Sequence, residues 1–559
     1  MVEMICVLTQ HNDNSRTGAN LREVQLNTFN VNSQRFGKLF ERQVDGHIYA
    51  QPLYVGNVII PNKGIHNVVY VATMHNSVYA FDADDPHAAA PLWHVSLGPS
   101  VSLPDPNIGP RSGLLAALRL LVSVLLKNPL SIFSLFKQLG TQDLQTAFSL
   151  FAGYKDIVDE VGIVSTPVIS LAHSTLYAVA FTKVGDVYAH RLHALDLATG
   201  AERFGGPVQL ETCVRGTGEG SVDGVVPFIP HRQLQRAALL LTNDVIYIAF
   251  ASYGDQDPYH GWVFAYNATT LHRVGIYNDT SNGSEGGIWM AGQGPNADSE
   301  NNIYFMTGNG TFQQDGSALG GCFVKLQPDL TLADWFAPFN TEALSQADID
   351  IGSSGALLIP GTSLLIGGGK EGKFYLLNKD NMGHFNAASD SQIVQSFYVE
   401  QDHHIHGGLV YWNGPHGPWV YVWPENAFLR AYQLINGRFQ TTPISQSTTT
   451  TPVGVPGGSP GMPGGMLSIS ANGNTAGSGI LWASHPYRAS AIHATVEGIL
   501  RAYDASDLTR ELWNSKQNEH RDDIGNFAKF CAPTIANGKV YMASFSRRLA
   551  VYGLLPDDL

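Results

Sequence analysis

The phrase VVYVATMHNSVYAFDADD (68–85) alternates apolar and polar residues, breaks at His75-Asn76-Ser77, resumes as a second alternating run and ends on an acidic turn. Similar phrases return at 175–200, 245–270, 302–329, 363–381, 419–437, 479–507 and 538–555. Alternation with period two is the mark of half-buried strands. Each phrase follows another short apolar run, such as STPVIS, AALLLT, GALLIP or CAPTIA, and most precede a further one, such as PLWHVSL or TRELWNS. Four strands recurring at a spacing of roughly fifty residues is the pattern of a β-propeller blade. The last unit has only three strands before Leu559, and FGKLFERQVDG (36–46) can supply the fourth. The sequence therefore reads as all-β: one eight-bladed β-propeller over 1–559, closed by an N-terminal strand that leaves no free edge.

Composition narrows the partners. The 58 Gly and 29 Pro suit many short strands joined by tight turns. A net charge of −14, with no run of Lys or Arg, is the wrong electrostatic sign for binding phosphate backbones, so no nucleic acid is expected. Cys6, Cys213, Cys322 and Cys531 form no CxxC pair, which removes zinc-knuckle and dithiol redox motifs; small buried hydrophobes are the preferred reading, disulfides the alternative. The first residues show neither a basic run nor a long apolar stretch, so no signal peptide is expected in the chain as written. A trimmed N-terminus would restore secretion as an option, and localisation stays open.

One stretch breaks the strand pattern. Between the first two blades, an apolar insertion (107–158) switches to helical spacing, with Leu114, Leu118, Leu121 and Leu125 on one face and Pro129 ending the run. About fifteen residues are too few to cross a bilayer, so no transmembrane segment is expected. Its position above the propeller mouth favours a lid over the funnel; a membrane-surface or dimer contact through 112–154 is the alternative. A lid this apolar implies a hydrophobic small-molecule substrate.

The same face collects the residues that could carry chemistry. Inner strands begin there at Gln51, Thr166, Gln293, Ser354, His406 and Lys529, and hairpin turns add His75, Lys183, Ser252, Asn309, Glu371, Asn426 and His485. In QDHHIHGGLVYW (401–412), His404 and His406 alternate on one face and suit acid–base work, with backbone-bonded histidines as the bland alternative. As a metal pair they lack a third ligand, which His47 or His75 could supply only through the fold; no metal is expected. Lys370, Glu371 and Lys373 share a Gly-rich turn, where Lys373 could steady an oxyanion and Glu371 accept a hydrogen bond, or where all three are simply solvated charges. SEGGIWMAGQGPN (284–296) offers Glu285, Trp289 as a stacking wall and Gln293 as a polar contact, blade packing being the alternative. NEHRDDIGNFAKF (518–530) brings Asn526 and Lys529, with Lys529 a second candidate oxyanion donor, and HPYR (485–488) adds His485 and Arg488 to the rim. HNDNSRTG (11–18) reads as a turn-rich lead-in with a structural role only. No G-x-S-x-G elbow, HExxH pair or glycine fingerprint on a βαβ unit is present.

The phrases ALDLATGAERF (194–204) and AYDASDLTRELW (502–513) resemble the blade-end motif of the pyrroloquinoline-quinone dehydrogenase superfamily, in which an Asp-x-x-Thr-Gly turn and a Trp dock neighbouring blades. That resemblance implies the propeller and, as an alternative function, a dehydrogenase using pyrroloquinoline quinone with calcium. The adjacent cysteines often found beneath that cofactor are missing here. The propeller, the missing quinone signature and the apolar insertion together resemble the cofactor-free fungal hetero-Diels–Alderases of tropolone–sesquiterpenoid biosynthesis. This second resemblance implies dehydration of a hydroxymethyl precursor to a quinone methide and cycloaddition to a terpene alkene, with no cofactor. In that reading His404 or His406 serves as acid/base and Lys529 or Lys373 as oxyanion donor. A non-enzymatic interaction scaffold is the remaining class.

Overall fold

The computed structural model describes residues 5–109, 154–452 and 461–556. Among the described residues, eight four- or five-stranded sheets, antiparallel within each blade, follow one another along the chain. Blade 1 runs Leu53–Ile60, Gly64–Ala72, Ser77–Asp82 and Trp93–Ser96. Blades 2 to 7 begin at the inner strands Val168–Ser170, Leu240–Thr242, Asn296–Ala297, Leu357–Leu358, Val410–Gly414 and Met466–Ser470. Blade 8 has Thr534–Ala536, Lys539–Ser544 and Arg548–Leu554, and its outer strand is Phe36–Gln43 from the other end of the chain. The expected closure is therefore present: Phe36 pairs with Leu554 and Gln43 with Arg548.

Neighbouring blades are joined by a repeated polar contact inside an apolar core. A tyrosine of the second strand donates its hydroxyl proton to a turn carbonyl of the next blade: Tyr70 to Leu197 (3.0 Å), Tyr177 to Ala268 (2.9 Å), Tyr247 to Pro328 (2.8 Å) and Tyr421 to Ala505 (2.8 Å). The turn Asp196–Gly200 shows why the blade-end motif takes its form. Trp93 of blade 1 donates its indole N–H to Leu197 (2.9 Å) and lies so close that a Cβ on Gly200 would sit 2.6 Å from the ring. Gly200 also has φ +72°, which glycine adopts without a steric penalty.

The N-terminal segment was expected to be a lead-in, and it is more than that. Residues 5–20 cross the centre of the ring and hydrogen-bond every inner strand in blade order. Ile5, Leu8, Ser15, Thr17 and Gly18 offer carbonyls to Gly56, Ile169, Leu358, Tyr411 and Ile469, and Asn14 bonds both Leu241 and Ala297. Asn20 completes the circuit at Ile535 (2.9 Å). At the hub Arg16 is 0 % exposed and donates to Thr9 Oγ1 and the carbonyls of Gln10, Leu239 and Pro295. This plug floors the central funnel.

The lid expected over 107–158 falls mostly on 110–153, outside the described residues. Its two roots meet: a Cβ on Gly109 would lie 2.3 Å from that of Tyr154. Among the described residues no helix is long and apolar enough to cross a membrane. All four cysteines are free; Cys322 and Cys531 are buried as expected, whereas Cys213 is exposed, on a short two-stranded ribbon outside the blades.

Candidate functional site

The loops that lead into the inner strands converge above the plug. Gln51, Thr166, Gln293 and Lys529 line one central pocket with Gln10, Tyr49, Arg236 and Phe530. The reason is topological: each of these residues precedes an inner strand, and the inner strands surround the central channel with their leading ends on one face. Gln10 belongs to the plug and donates its amide to the Gly292 carbonyl, and Gln293 is tied to Ala356 O (2.7 Å). The gap between these side chains is about 20 Å³, room for one water. At its mouth the Arg236 guanidinium lies 3.9 Å over the Phe530 ring.

Two cations face this pocket, and among the described residues neither has a carboxylate partner. Lys529 is 4 % exposed and donates to the backbone carbonyls of Asp156 and Ile492, both at 2.9 Å. Burial brings its pKa down to about 8; the charge of Asp156 opposes the shift, and Arg236 adds a smaller repulsion in the same direction as burial. Burial lowers the pKa of Arg236 as well, opposed by the charges of Tyr154, Tyr49 and Asp156. The carboxylate of Asp156 is taken by His493 (2.8 Å). Burying cations without counter-ions costs several kcal/mol, and an anionic oxygen placed between them would remove that cost.

The histidines of 401–412 stand apart from the pocket. His406 reaches it only through Phe530, the ring centroids being 6.2 Å apart. Their companion is Glu425, with His406 Nε2 at 3.0 Å and His404 Nδ1 at 3.8 Å. The third group is thus a carboxylate from the blade 6 turn, not His47 or His75. His47 stacks on Phe545 (4.8 Å), and His75 bonds Glu160 (2.9 Å). Burial pushes His404 down to about 4, Glu425 opposing the shift.

The remaining candidates scatter. Lys373 is bound to Asp390 (2.9 Å) on blade 5, away from the pocket, which corrects its placement as an oxyanion donor. Glu371 accepts from Tyr375 (2.6 Å) and Tyr398 (3.0 Å). His485 is a core residue of the strand Ile480–Pro486, fully buried and accepting from Arg501 (2.9 Å), and so is not on the rim. Arg488 lies over its neighbour Tyr487 at 4.5 Å. Asn426 takes a left-handed turn conformation (φ +52°), and Asn526 contributes backbone bonds to Phe545 and Ser544. Trp289 is half-buried beside Tyr259 and Asp350. Glu285 nearby is pushed up to about 7, by burial first and then by the charges of Asp257 and Asp255. The sequence reading missed Arg236, Tyr49 and Gln10. Arg236 directly precedes the apolar run AALLLT (237–242), so the periodicity could have found it; the plug had no such signal.

No protein-family model matches the chain, and no curated protein matches it. Among solved structures, the quinohemoprotein alcohol dehydrogenase of Comamonas testosteroni superposes with a TM-score of 0.51 and 13 % identity, over 98 % of this chain and 80 % of that one. The quinohemoprotein alcohol dehydrogenase ADHIIG of Pseudomonas putida HK5 gives the same figures. At that identity the likeness is one of fold.

Proposed function

We propose that the plugged funnel is an active site in which Arg236 and Lys529 hold the oxygen of an acidic enol, and that the reaction is loss of water followed by a guided hetero-Diels–Alder addition. The observation that carries this reading is a pair of buried cations that line one central pocket and, among the described residues, have no carboxylate in ion-pair contact. Arg236 would anchor the enolate oxygen, and Lys529, with a pKa near neutrality, would move the enol proton to the departing hydroxyl. The C–O bond of the hydroxymethyl group breaks, water leaves, and a quinone methide remains with its carbonyl still held by Arg236. A terpene alkene then closes one C–O and one C–C bond across the heterodiene. Holding both partners in reactive geometry supplies the rate, and donation to the carbonyl oxygen polarises the diene.

The test is turnover of a hydroxymethyl tropolone with a sesquiterpene alkene, scored as adduct yield and diastereomer ratio against the spontaneous reaction. Arg236→Leu should lower kcat/KM by about 10²–10³, the loss typical of one oxyanion donor. A diastereomer ratio equal to the uncatalysed one would overturn the reading.

The fold shared with two quinohemoprotein dehydrogenases favours quinone-dependent alcohol oxidation as a second reading. Calcium takes six to eight oxygen ligands, whereas the metal-competent trio of the funnel face offers two imidazoles and one carboxylate. That trio is therefore not a ligand set suited to calcium. Dye reduction with an alcohol, appearing only after reconstitution with quinone and calcium, would establish the second reading instead.

A further inference from the structure

His404, His406 and Glu425 form a compact group whose ligand atoms all lie within 4.8 Å of one another. The contact between His406 Nε2 and Glu425 Oε1 is 3.0 Å, yet that oxygen is buried and without a hydrogen-bond donor. With the His406 proton on Nδ1, the two atoms present lone pairs at a spacing that one metal ion can bridge. Among the described residues, no hydrogen bond is made by the His404 or the His406 ring. The backbone fixes the arrangement: Glu425 N–H donates to His404 O (2.9 Å), and His403 Nδ1 lies 2.7 Å from Glu425 O. Beside them Lys370 bridges Asp348 (3.0 Å) and Asp350 (2.7 Å). Three carboxylates against one ammonium leave two negative charges around two imidazoles.

We infer that this group is a binding site for one divalent transition metal of the zinc class, with a coordination position open to the funnel mouth. Two imidazoles and a carboxylate are the three-ligand set of open zinc sites. Tetrahedral bonds of about 2.0–2.1 Å place ligand atoms roughly 3.4 Å apart, between the spacings seen here, and rotation of the 41 % exposed His404 side chain closes the remaining gap. The group Glu497, Glu519 and Asp523 makes the contrast plain. There Lys516 already supplies the cation, at 2.8 Å from Glu519 and 2.9 Å from Asp523 and in contact with Glu497, and no metal is needed. The inference is independent of the substrate reading, because its measurement is binding and not turnover.

Chelator-dialysed full-length protein is titrated with Zn²⁺ by calorimetry, and with Co²⁺ while the visible spectrum is followed. One equivalent should bind, with the intense visible bands of four-coordinate Co²⁺. His404→Ala and Glu425→Gln should each weaken Zn²⁺ binding by about a hundredfold or more, while Asp523→Asn leaves it unchanged. His404→Ala carries the test if Glu425→Gln does not fold, since its side chain is solvent-facing, and the wild-type Co²⁺ spectrum needs no variant. Absence of stoichiometric binding, binding that survives both ligand variants, or binding lost with Asp523→Asn overturns the inference.

Discussion

Lys529 is a buried ammonium bonded to two carbonyls and no carboxylate, and this has a cost that can be measured. Its pKa falls from 10.5 to about 8 because burial disfavours the charged form. The folded state therefore releases this proton earlier than the unfolded chain. Below about pH 8 both states are protonated and the penalty is fully present; between about 8 and 10.5 the unfolded chain binds more protons, and stability rises with pH. Lys529→Met should accordingly be more stable than wild type at pH 7, by about 1–3 kcal/mol after the loss of two hydrogen bonds. The advantage should shrink between pH 8 and 10 in denaturant titrations, and a Lys529→Met variant less stable at pH 7 contradicts the account. In the proposed reaction the same variant is inactive, the trade expected where a strained group serves function. Lys529 was legible in the sequence because it stands at the start of an inner strand. That no described carboxylate contacts it was not, since that depends on Asp156 being engaged by His493 from a distant loop.

At the scale of elements, the plug is the feature most dependent on single residues. Arg16 satisfies four acceptors inside the ring, and His11, Asn12, Arg16 and Gly18 all take left-handed backbone conformations. The coil is held by its bonds to the blades and not by propensity. Arg16→Ala removes one buried cation and leaves several carbonyls and a hydroxyl without a donor, so it should cost about 3 kcal/mol or more, read as a lowered denaturant midpoint. A change under about 1 kcal/mol would show that the hub is not a structural keystone. HNDNSRTG looked like a lead-in because turn-forming residues mark where a chain bends, and they carry no record of what it bends around.

At the scale of the whole molecule, the closing strand turns a row of blades into a ring. Phe36 is 0 % exposed and packs against Trp482 (5.3 Å), Trp513 (5.1 Å) and Tyr552 (6.5 Å), joining blade 7 to blade 8. Phe36→Ala should cost about 3–5 kcal/mol, the usual loss for a buried Phe, seen in calorimetry as a lowered Tm. The strand count, the blade number and the partner of the last blade were all readable from sequence, because period-two alternation and turn chemistry are local properties repeated eight times. The interblade tyrosines were visible too, as the Tyr in VVYVA, TLYAV, VIYIA and WVYVW, although their bond to the next blade is a product of the ring. What the sequence by itself determined, then, is the repeat and its closure. The tertiary structure alone decided that residues 5–20 floor the funnel, that Arg236 and Lys529 share a pocket with no described carboxylate in contact with either, and that Glu425 and not His47 or His75 joins His404 and His406. Each of these depends on side chains tens to hundreds of residues apart meeting at one axis, and long-range meeting of that kind leaves no trace in local periodicity.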